Sequence, residues 1–266
     1  IHISAADTIR PRATTNVIFA GNLDNRDTSL EGISRSVQVF DSRGREQTIE
    51  VDFKPAGNNQ WTWEAHWLLN SSSFAPAGFG LAVGGKYTVE ANTDPAGPAF
   101  QLVDADSNVV GTSNDGRVWT LQSSDPNVSD IVVEFEKALA AGEELEAVGT
   151  GSEMMFSTRE SLGGDTISFN TDGTFSLAPN AVIELDPTLA DNMKIELDFS
   201  QFTHFADSMT AKFMNQDGYA NGTLESYAID QNGRIVGSFS NGLTRNLGQV
   251  ALARFTNPAG LERAGS

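Results

Sequence analysis

Short runs with apolar residues at alternate positions recur along much of the chain and predict β-strands. Six runs combine this alternation with β-branched or aromatic residues: 37–40, 49–53, 61–67, 131–135, 195–199 and 226–229. Successive side chains of a strand point to opposite faces, so a period of two indicates strands with one buried face. The hydrophobic pattern therefore predicts an all-β fold.

Clusters of Gly, Asn, Asp and Pro separate these runs and predict turns. They lie at 41–44, 55–59, 114–116, 171–173 and 216–218. Asn232-Gly233 and Asn241-Gly242 stand between strand-like runs, and Asn-Gly tolerates the positive φ angles of two-residue hairpin turns. Short strands with turns at this spacing predict a β-sandwich or barrel.

Helical signals are few. Residues 136–147 are rich in Ala, Leu and Glu, which favour helices, and they predict the one substantial helix. Residues 207–213 are expected to form a short helix or a loop.

The length of 266 residues exceeds that of a typical single domain, so one large β-domain or two domains are expected. An apolar fraction of 39% is typical of a globular chain, and no run approaches the ~20 apolar residues of a membrane helix. The N-terminus has no basic region followed by an apolar one, so no secretory signal peptide is expected. The absence of cysteine excludes disulfides, thiolate metal sites and a cysteine nucleophile.

Acidic side chains outnumber basic ones by 35 to 17, which gives a net charge of −18 and a pI near 4.4. Nucleic acid is not an expected partner, because phosphate binding needs clustered Lys and Arg. Anionic membranes are disfavoured for the same reason. The negative charge favours solubility, and it also predicts a repulsion that weakens lateral contacts between neighbouring copies.

The three histidines, His2, His66 and His204, lack the sequence surroundings of a catalytic group. None lies in a nucleophile-elbow or zinc-protease motif, and no nucleotide-binding glycine motif occurs. Carboxylates are plentiful in so acidic a chain, so their number does not indicate the paired carboxylates of a glycosidase. We therefore predict no catalytic, cofactor-binding or metal-binding residue, no cofactor and no enzyme activity.

A cluster of tryptophans leaves a sugar-binding alternative open. Trp61, Trp63 and Trp67 could stack on the apolar face of a sugar. All three have odd residue numbers within one predicted strand, so their side chains point to the same face. The same arrangement is expected if they form one wall of a hydrophobic core. Burial of these side chains would favour the core wall, and their exposure would favour binding.

A second stretch leaves a calcium-binding alternative open. Residues 104–108, DADSN, begin like an EF-hand loop. Val109 then occupies the position of the required glycine, and Asp115 that of the bidentate glutamate, so an ordinary Asp-rich turn explains the pattern as well. An acidic β-sandwich module that binds carbohydrate or calcium is the alternative function.

The strongest motif lies at residues 235–261, IVGSFSNGLTRNLGQVALARFTNPAGL. A strand that contains a glycine leads through SNG to LGQ, a small apolar strand and FTNPAGL. By local chemistry this is a meander of short antiparallel strands, which Pro258 ends because it has no amide hydrogen to donate. The motif positions are Gly237, Ser240, Asn241, Gly242, Leu247, Gly248, Gln249, Phe255, Asn257, Pro258, Gly260 and Leu261.

Four other segments contribute to the same resemblance: RATTNVIFAGNLD at 12–24, VFDSRGREQT at 39–48, NQDGY at 215–219 and SYAIDQNGRIVG at 226–237. With the C-terminal motif, they make the chain resemble the bacterial flagellar hook protein family over roughly residues 1–70 and 165–266. The resemblance implies a structural subunit that polymerises into the hook, a flexible curved tube. The hook acts as a universal joint that transmits motor torque to the filament.

The resemblance also implies a domain arrangement, with two or more β-sandwich or barrel-like domains. Residues 1–11 and 217–266 would form part of an inner, tube-wall domain, and residues 12–216 an outer β-domain inserted into it, with a possible sub-domain at about 71–164. The family's terminal helices and the first half of its inner domain have no counterpart here, so we expect a fragment whose copies assemble poorly. The roughly 200 residues between the inner pieces favour a hook protein over a distal rod protein.

Partners and location follow from the resemblance alone. Besides copies of the chain itself, the hook cap, distal rod and hook-filament junction proteins would be partners. The expected location is the flagellar hook at the cell exterior, reached without a cleaved signal peptide. Residues 219–261 would contribute to the tube wall, and the acidic outer domain would make polar contacts that slide as the tube bends.

Overall fold

The computed structural model describes residues 8–29, 31–75, 79, 81–150 and 153–250. Every regular element among them is a β-strand, which confirms the predicted all-β fold, and none of them belongs to a helix that could cross a membrane. The strands in chain order are β1 (Thr8–Ile9), β2 (Asn16–Asn22), β3 (Ile33–Phe40), β4 (Glu46–Gly57), β5 (Gln60–Asn70), β6 (Lys86–Ala91), β7 (Phe100–Asp104), β8 (Val109–Ser113), β9 (Val118–Leu121), β10 (Ile131–Glu134), β11 (Glu144–Thr150), β12 (Glu153–Phe169), β13 (Phe175–Leu177), β14 (Val182–Leu185), β15 (Met193–Thr203), β16 (Lys212–Gln216), β17 (Gly222–Ile229), β18 (Arg234–Phe239) and β19 (Thr244–Gln249).

These strands form three sheets. The largest has the order β10-β9-β8-β7-β6-β11-β12-β5-β4-β3, with β13 paired to β12. A second sheet has the order β14-β15-β2-β16, in which β15 and β2 are parallel. The third has the order β1-β17-β18-β19. The six predicted strand runs coincide with β3, β4, β5, β10, β15 and β17.

The β3-β4-β5 part of the large sheet shares one core with the sheet β14-β15-β2-β16, in the manner of a β-sandwich. Phenylalanines from both sheets meet at its centre. Phe53 of β4 contacts Phe199 and Phe202 of β15 edge-on, with ring centroids 5.7 and 5.4 Å apart. Alternate residues of β5 all enter this sandwich core, as the sequence pattern predicts: Trp61, Trp63, Ala65, Trp67 and Leu69.

A second core lies in the middle of the chain. Strands β6 to β11, the first half of β12 and loops beside them supply its side chains, so the chain has more than one β-structured unit, as predicted. We call this cluster the middle core; its buried members are Phe74, Phe79, Tyr87, Val89, Leu102, Trp119, Leu121, Val133, Phe135, Leu139, Leu145, Ala147, Met154 and Phe156.

Strand β12 contributes to both cores, and a β-bulge makes this possible. Its pairing with β5 shifts by one residue around Leu162. Before the bulge, Met154 and Phe156 reach the middle core, and after it Ile167 and Phe169 reach the sandwich core. The first pair has even residue numbers and the second pair odd ones. Without the extra residue the two pairs would therefore point to opposite faces of the sheet.

The third sheet joins the two ends of the described chain. Thr8 and Ile9 pair antiparallel with β17, and Arg12 forms a further bridge with Tyr219. The intervening chain therefore leaves and returns at neighbouring points. Residues 251–266, which hold the second half of the C-terminal motif, lie outside the described residues.

The helix predicted at residues 136–147 is wrong. Strand β11 begins inside this segment, and Leu145 lies opposite Tyr87 of β6. Leu145 and Ala147 alternate into the middle core, so burial and strand pairing override the helix propensity of the local sequence. Residues 207–211 form a loop, and residues 212–213 are the first of β16.

The predicted two-residue turns at the Asn-Gly pairs are also wrong, because the turns are longer. Gly233 and Gly242 adopt φ of 73° and 78°, whereas the asparagines before them do not adopt positive φ. The amide of Gly233 donates to the carbonyl of Asp230, and the amide of Asp230 donates to the carbonyl of Arg234. This is a hairpin turn that ends in a residue in the left-handed region, and glycine suits that position.

Candidate functional site

The three tryptophans of β5 are buried, with at most 2% of each exposed. Trp63 packs against Phe199 at 5.5 Å between ring centroids, and the indole N–H of Trp67 donates to Gln47 Oε1 at 3.1 Å. Side chains that close a sandwich core offer no face to a sugar. The geometry therefore favours the core-wall interpretation of Trp61, Trp63 and Trp67.

The stretch that begins like an EF-hand loop is the hairpin turn between β7 and β8. The carboxylate of Asp104 accepts the backbone N–H groups of Asp106 and Asn108 at 3.0 and 2.8 Å. Hydrogen bonds from the Asn108 side chain and amide lower the pKa of Asp104. Ser107 takes the left-handed position with φ of 63°. Among the described residues, no group of three His, Asp or Glu side chains is arranged to hold a metal ion.

The two described histidines have structural surroundings, and His2 lies outside the described residues. His204 is buried and stacks on Phe169 with 4.9 Å between ring centroids, and burial lowers its pKa. His66 lies on the solvent side of β5, where its Nε2 is 3.6 Å from Asp52 and 3.7 Å from Glu64. Burial and the nearby Arg159 lower the pKa of His66 despite these carboxylates.

Charged side chains of β4, β5 and β12 form an ionic cluster on the same side of the sheet. Arg159 Nη2 lies 2.6 Å from Asp52 Oδ2 and 3.3 Å from Glu50 Oε2. Burial opposes the ionisation of Asp52, but hydrogen bonds from Ser34 and Arg159 outweigh it and lower the pKa of Asp52. Antiparallel register sets this arrangement, because Glu50 lies opposite His66.

An acidic groove of about 650 Å³ adjoins this cluster. We define it by its glutamates, Glu50, Glu143, Glu144, Glu146 and Glu160; Lys86 and Arg159 also line it. Burial raises the pKa of Glu143, and repulsion from Glu160 adds to this effect. One carboxylate oxygen of Glu143 and one of Glu160 are buried without a hydrogen-bond partner.

A second cleft, of about 600 Å³, lies at the third sheet, β1-β17-β18-β19, which we call the terminal sheet. There β1 and β19 come near the bridge between Arg12 and Tyr219. We call it the arginine cleft, because Arg10, Arg12 and Arg245 line it. Arg12 pairs with Asp217 at 2.8 Å. No ion pair forms between Arg10 or Arg245 and any carboxylate of the described part of the chain.

The terminal sheet also exposes apolar side chains. Tyr227 and Ile229 of β17 are 58% and 59% exposed. Strand β1 covers two residues of β17, so the edge at 225–229 is unpaired within the described ranges. An open strand edge with apolar side chains is a surface suited to association.

Similarity to known proteins identifies the class of molecule to which these surfaces belong. Residues 11–219 match the family model described as flagellar basal body protein FlaE D2 domain. The flagellar hook protein FlgE of Treponema pallidum is 29% identical over 272 residues, which cover 97% of this chain and 48% of that protein. This alignment includes the middle of the chain, for which the sequence motifs indicated no relative.

Two other relatives carry the same name. The flagellar hook protein FlgE of Borreliella burgdorferi is 57% identical over 63 residues, 24% of this chain and 14% of that protein. That of Salmonella typhimurium is 30% identical over 176 residues, 64% of this chain and 41% of that protein. The chain thus spans less than half the length of these relatives.

Among solved structures, the Helicobacter pylori flagellar hook protein FlgE2 is similar over all of this chain and 72% of its own, with a TM-score of 0.40 and 12% identity. The family model covers residues 11–219, well over half of the chain. The resemblance carried by the sequence motifs is thereby confirmed: this chain belongs to the flagellar hook protein family and contains its FlaE D2 domain.

Proposed function

We propose that this chain is a structural subunit of the bacterial flagellar hook and polymerises into a flexible curved tube that transmits motor torque to the filament. The observation that carries the proposal is the family match over residues 11–219, extended by a relative aligned to 97% of the chain. Repeated contacts between two different surfaces of a subunit generate an open helical assembly when they do not close into a ring. The task is mechanical, and the subunit is not an enzyme.

The proposed tube wall is the terminal sheet. We assign residues 1–11 and 217–266 to an inner domain and residues 12–216 to an outer domain inserted into it, with 71–164 as a sub-domain. The pairing of β1 with β17 supports the first division, because it brings the two inner pieces together. The separate middle core supports the second division. The open edge of β17 is the surface that further strands of the tube wall would cover.

The charge distribution supports sliding contacts between outer domains. Residues 12–216 hold 12 Lys and Arg against 30 Asp and Glu, a net charge of −18, whereas 1–11 and 217–266 together hold five Arg and five acidic residues. Exposed charge pairs contribute about 0–1 kcal/mol each and are screened over about 10 Å at 0.1 M salt, so they exchange readily during bending. Hook stiffness or curvature that does not change with ionic strength would contradict this part of the proposal.

The proposed location is the flagellar hook outside the cell, after export without a cleaved signal peptide. The proposed partners are copies of the same chain, the hook cap, the distal rod and the hook-filament junction proteins. The family match supports the hook as the place of action.

Electron microscopy of the protein at its full natural length, incubated at high protein concentration and high salt, tests the function. Curved tubes are expected, and the 266-residue chain under the same conditions is the control, which we expect to assemble poorly. Persistent monomers of the full-length protein would contradict the hook proposal. Sugar and calcium titrations monitored by tryptophan fluorescence would then test the binding alternative.

A further inference from the structure

The arginine cleft is an exception in a strongly acidic protein. Arg10 and Arg245 are exposed and have no acidic partner in the described ranges, while Arg12 is held by Asp217. Leu243 and Tyr219 also line the cleft, so its wall offers apolar contact beside the charge. An unpaired guanidinium presents several donors in a fixed fork and favours carboxylates as partners.

The acidic groove has the complementary charge. Glu144 and Glu146 project from β11, are exposed, and form no ion pair or hydrogen bond through their side chains within the described ranges. Glu143 and Glu160 each keep a buried carboxylate oxygen without a donor. Docking therefore rests on the exposed Glu144 and Glu146, whose carboxylates are free to accept hydrogen bonds from guanidinium donors.

We propose that the arginine cleft of one copy docks into the acidic groove of a second copy. The inference rests on the proposed polymerising function and names the two surfaces that one of its contacts uses. A second copy is the occupant because the same chain carries both partners: the groove lies in the region with a net charge of −18, and three arginines line the cleft at the terminal sheet. Electrostatic complementarity of this kind fixes register and excludes wrong partners.

The contact has a consequence for the assembly. The groove borders β5, β6, β11 and β12, and the cleft borders β1 and β19, so the surfaces are different and far apart in the topology. Each copy can donate its cleft to one neighbour and offer its groove to another. Such a heterologous contact repeats along an open chain of subunits. Because the charges stay near solvent, the contact weakens as salt rises.

Charge reversal tests the docking in the protein at its full natural length. We expect the double variant R10E/R245E to raise the critical concentration for polymerisation at low salt by about tenfold or more, and E144K/E146K to do the same. A mixture of the two variants has matched charges at every contact between unlike copies, so it should polymerise better than either variant alone. Combining all four substitutions in one chain restores matched charges between like copies. R234E is the control, because Arg234 is an exposed arginine of the same sheet that does not line the cleft.

The outcomes separate the two levels of the proposal. Polymerisation of R10E/R245E equal to that of the wild type and R234E would overturn the docking and leave the hook function intact. Loss of assembly in both double variants without recovery in the fourfold variant, while each keeps the wild-type melting temperature, would also overturn the docking. Polymerisation of the wild type at high salt but not at low salt would overturn the docking alone. Failure of the wild type to polymerise at either salt concentration would overturn both the docking and the hook function.

Discussion

Single residues at the hairpin turns explain why residues 104–108 begin like a calcium-binding EF-hand loop without forming one. Asp41, Asp104 and Asp230 occupy equivalent positions, and each carboxylate accepts the amides two and four residues further on. The last turn position is a glycine after Asp41 and Asp230, but it is Ser107 after Asp104. Asp and Asn serve both hairpin turns and calcium loops, so composition alone does not distinguish the two.

Ser107 is expected to strain its turn. A side chain in the left-handed region costs about 1–2 kcal/mol, and the greater freedom of glycine in the unfolded chain offsets part of this. Ser107→Gly should therefore raise the free energy of unfolding by about 0.5–1 kcal/mol in urea denaturation. The matched control is Gly242→Ser, which places serine in the same conformation where a Cβ meets no atom within 4 Å; it should lower stability. Equal stability of both variants and the wild type would contradict this account.

His204 is expected to make stability depend on pH. Burial lowers the pKa of His204 below its ordinary value of 6.5, so the unfolded chain binds the proton more readily than the folded one. The neutral His204 side chain therefore contributes its full stabilisation above pH 6.5, and this stabilisation is lost as the pH falls below that value. His204→Phe keeps a ring against Phe169 and should flatten the fall in melting temperature between pH 7 and pH 5. A fall as steep as that of the wild type would exclude His204 as its source.

Strand β12 is the element that holds the large sheet together. It pairs with β11 and β5, and it supplies side chains to two cores that lie in different parts of the sheet. At the bulge around Leu162 and Gly163, where Gly163 has a φ of 106°, the core-facing positions of β12 change from even-numbered to odd-numbered residues. A plain count of alternating residues along this strand would assign half of its core positions to the wrong face.

Deletion of Leu162 should prevent folding. Removing the bulge turns the core residues of one half of β12 to solvent, and burial of several such side chains at about 2–5 kcal/mol each exceeds the stability of a typical domain. Leu162→Ala is the control, since it keeps the bulge and should cost about 1–2 kcal/mol at this half-buried site. Circular dichroism and urea denaturation measure both variants. If the deletion variant unfolded cooperatively at the same urea concentration as the wild type, the register set by the bulge would not be essential for folding.

The molecule combines two cores with a terminal sheet that joins the ends of its described chain. The sandwich core uses residues from both sides of the middle core in sequence, so the middle unit is an insertion between strands that pack together. Local unfolding in such an arrangement is expected to follow the cores, because each is a cooperative unit with its own buried contacts.

Hydrogen exchange should resolve the two units. Leu121 of the middle core and Ile183 of the sandwich core are both fully buried, and truncation of either to alanine costs about 2–5 kcal/mol. Leu121→Ala should speed exchange in β6 to β11 and leave β14, β15 and β2 protected, whereas Ile183→Ala should do the reverse. Uniform loss of protection in both variants would mean that the cores unfold as one unit through β12.

The local sequence determined the all-β class, six of the strands and the shared face of the β5 tryptophans, because alternation and turn residues act over a few neighbours. The burial of that face was decided by the tertiary structure. The C-terminal motif at 235–261 also indicated the family, although its part from residue 251 onward lies outside the described ranges. Only the tertiary structure decided that residues 144–147 are strand, that Asp104 caps a turn, and that β12 serves two cores. Each of these depends on partners distant in sequence, such as Tyr87 opposite Leu145. The acidic groove and the arginine cleft also depend on the tertiary structure, because strand pairing brings together charged residues that are far apart in the sequence.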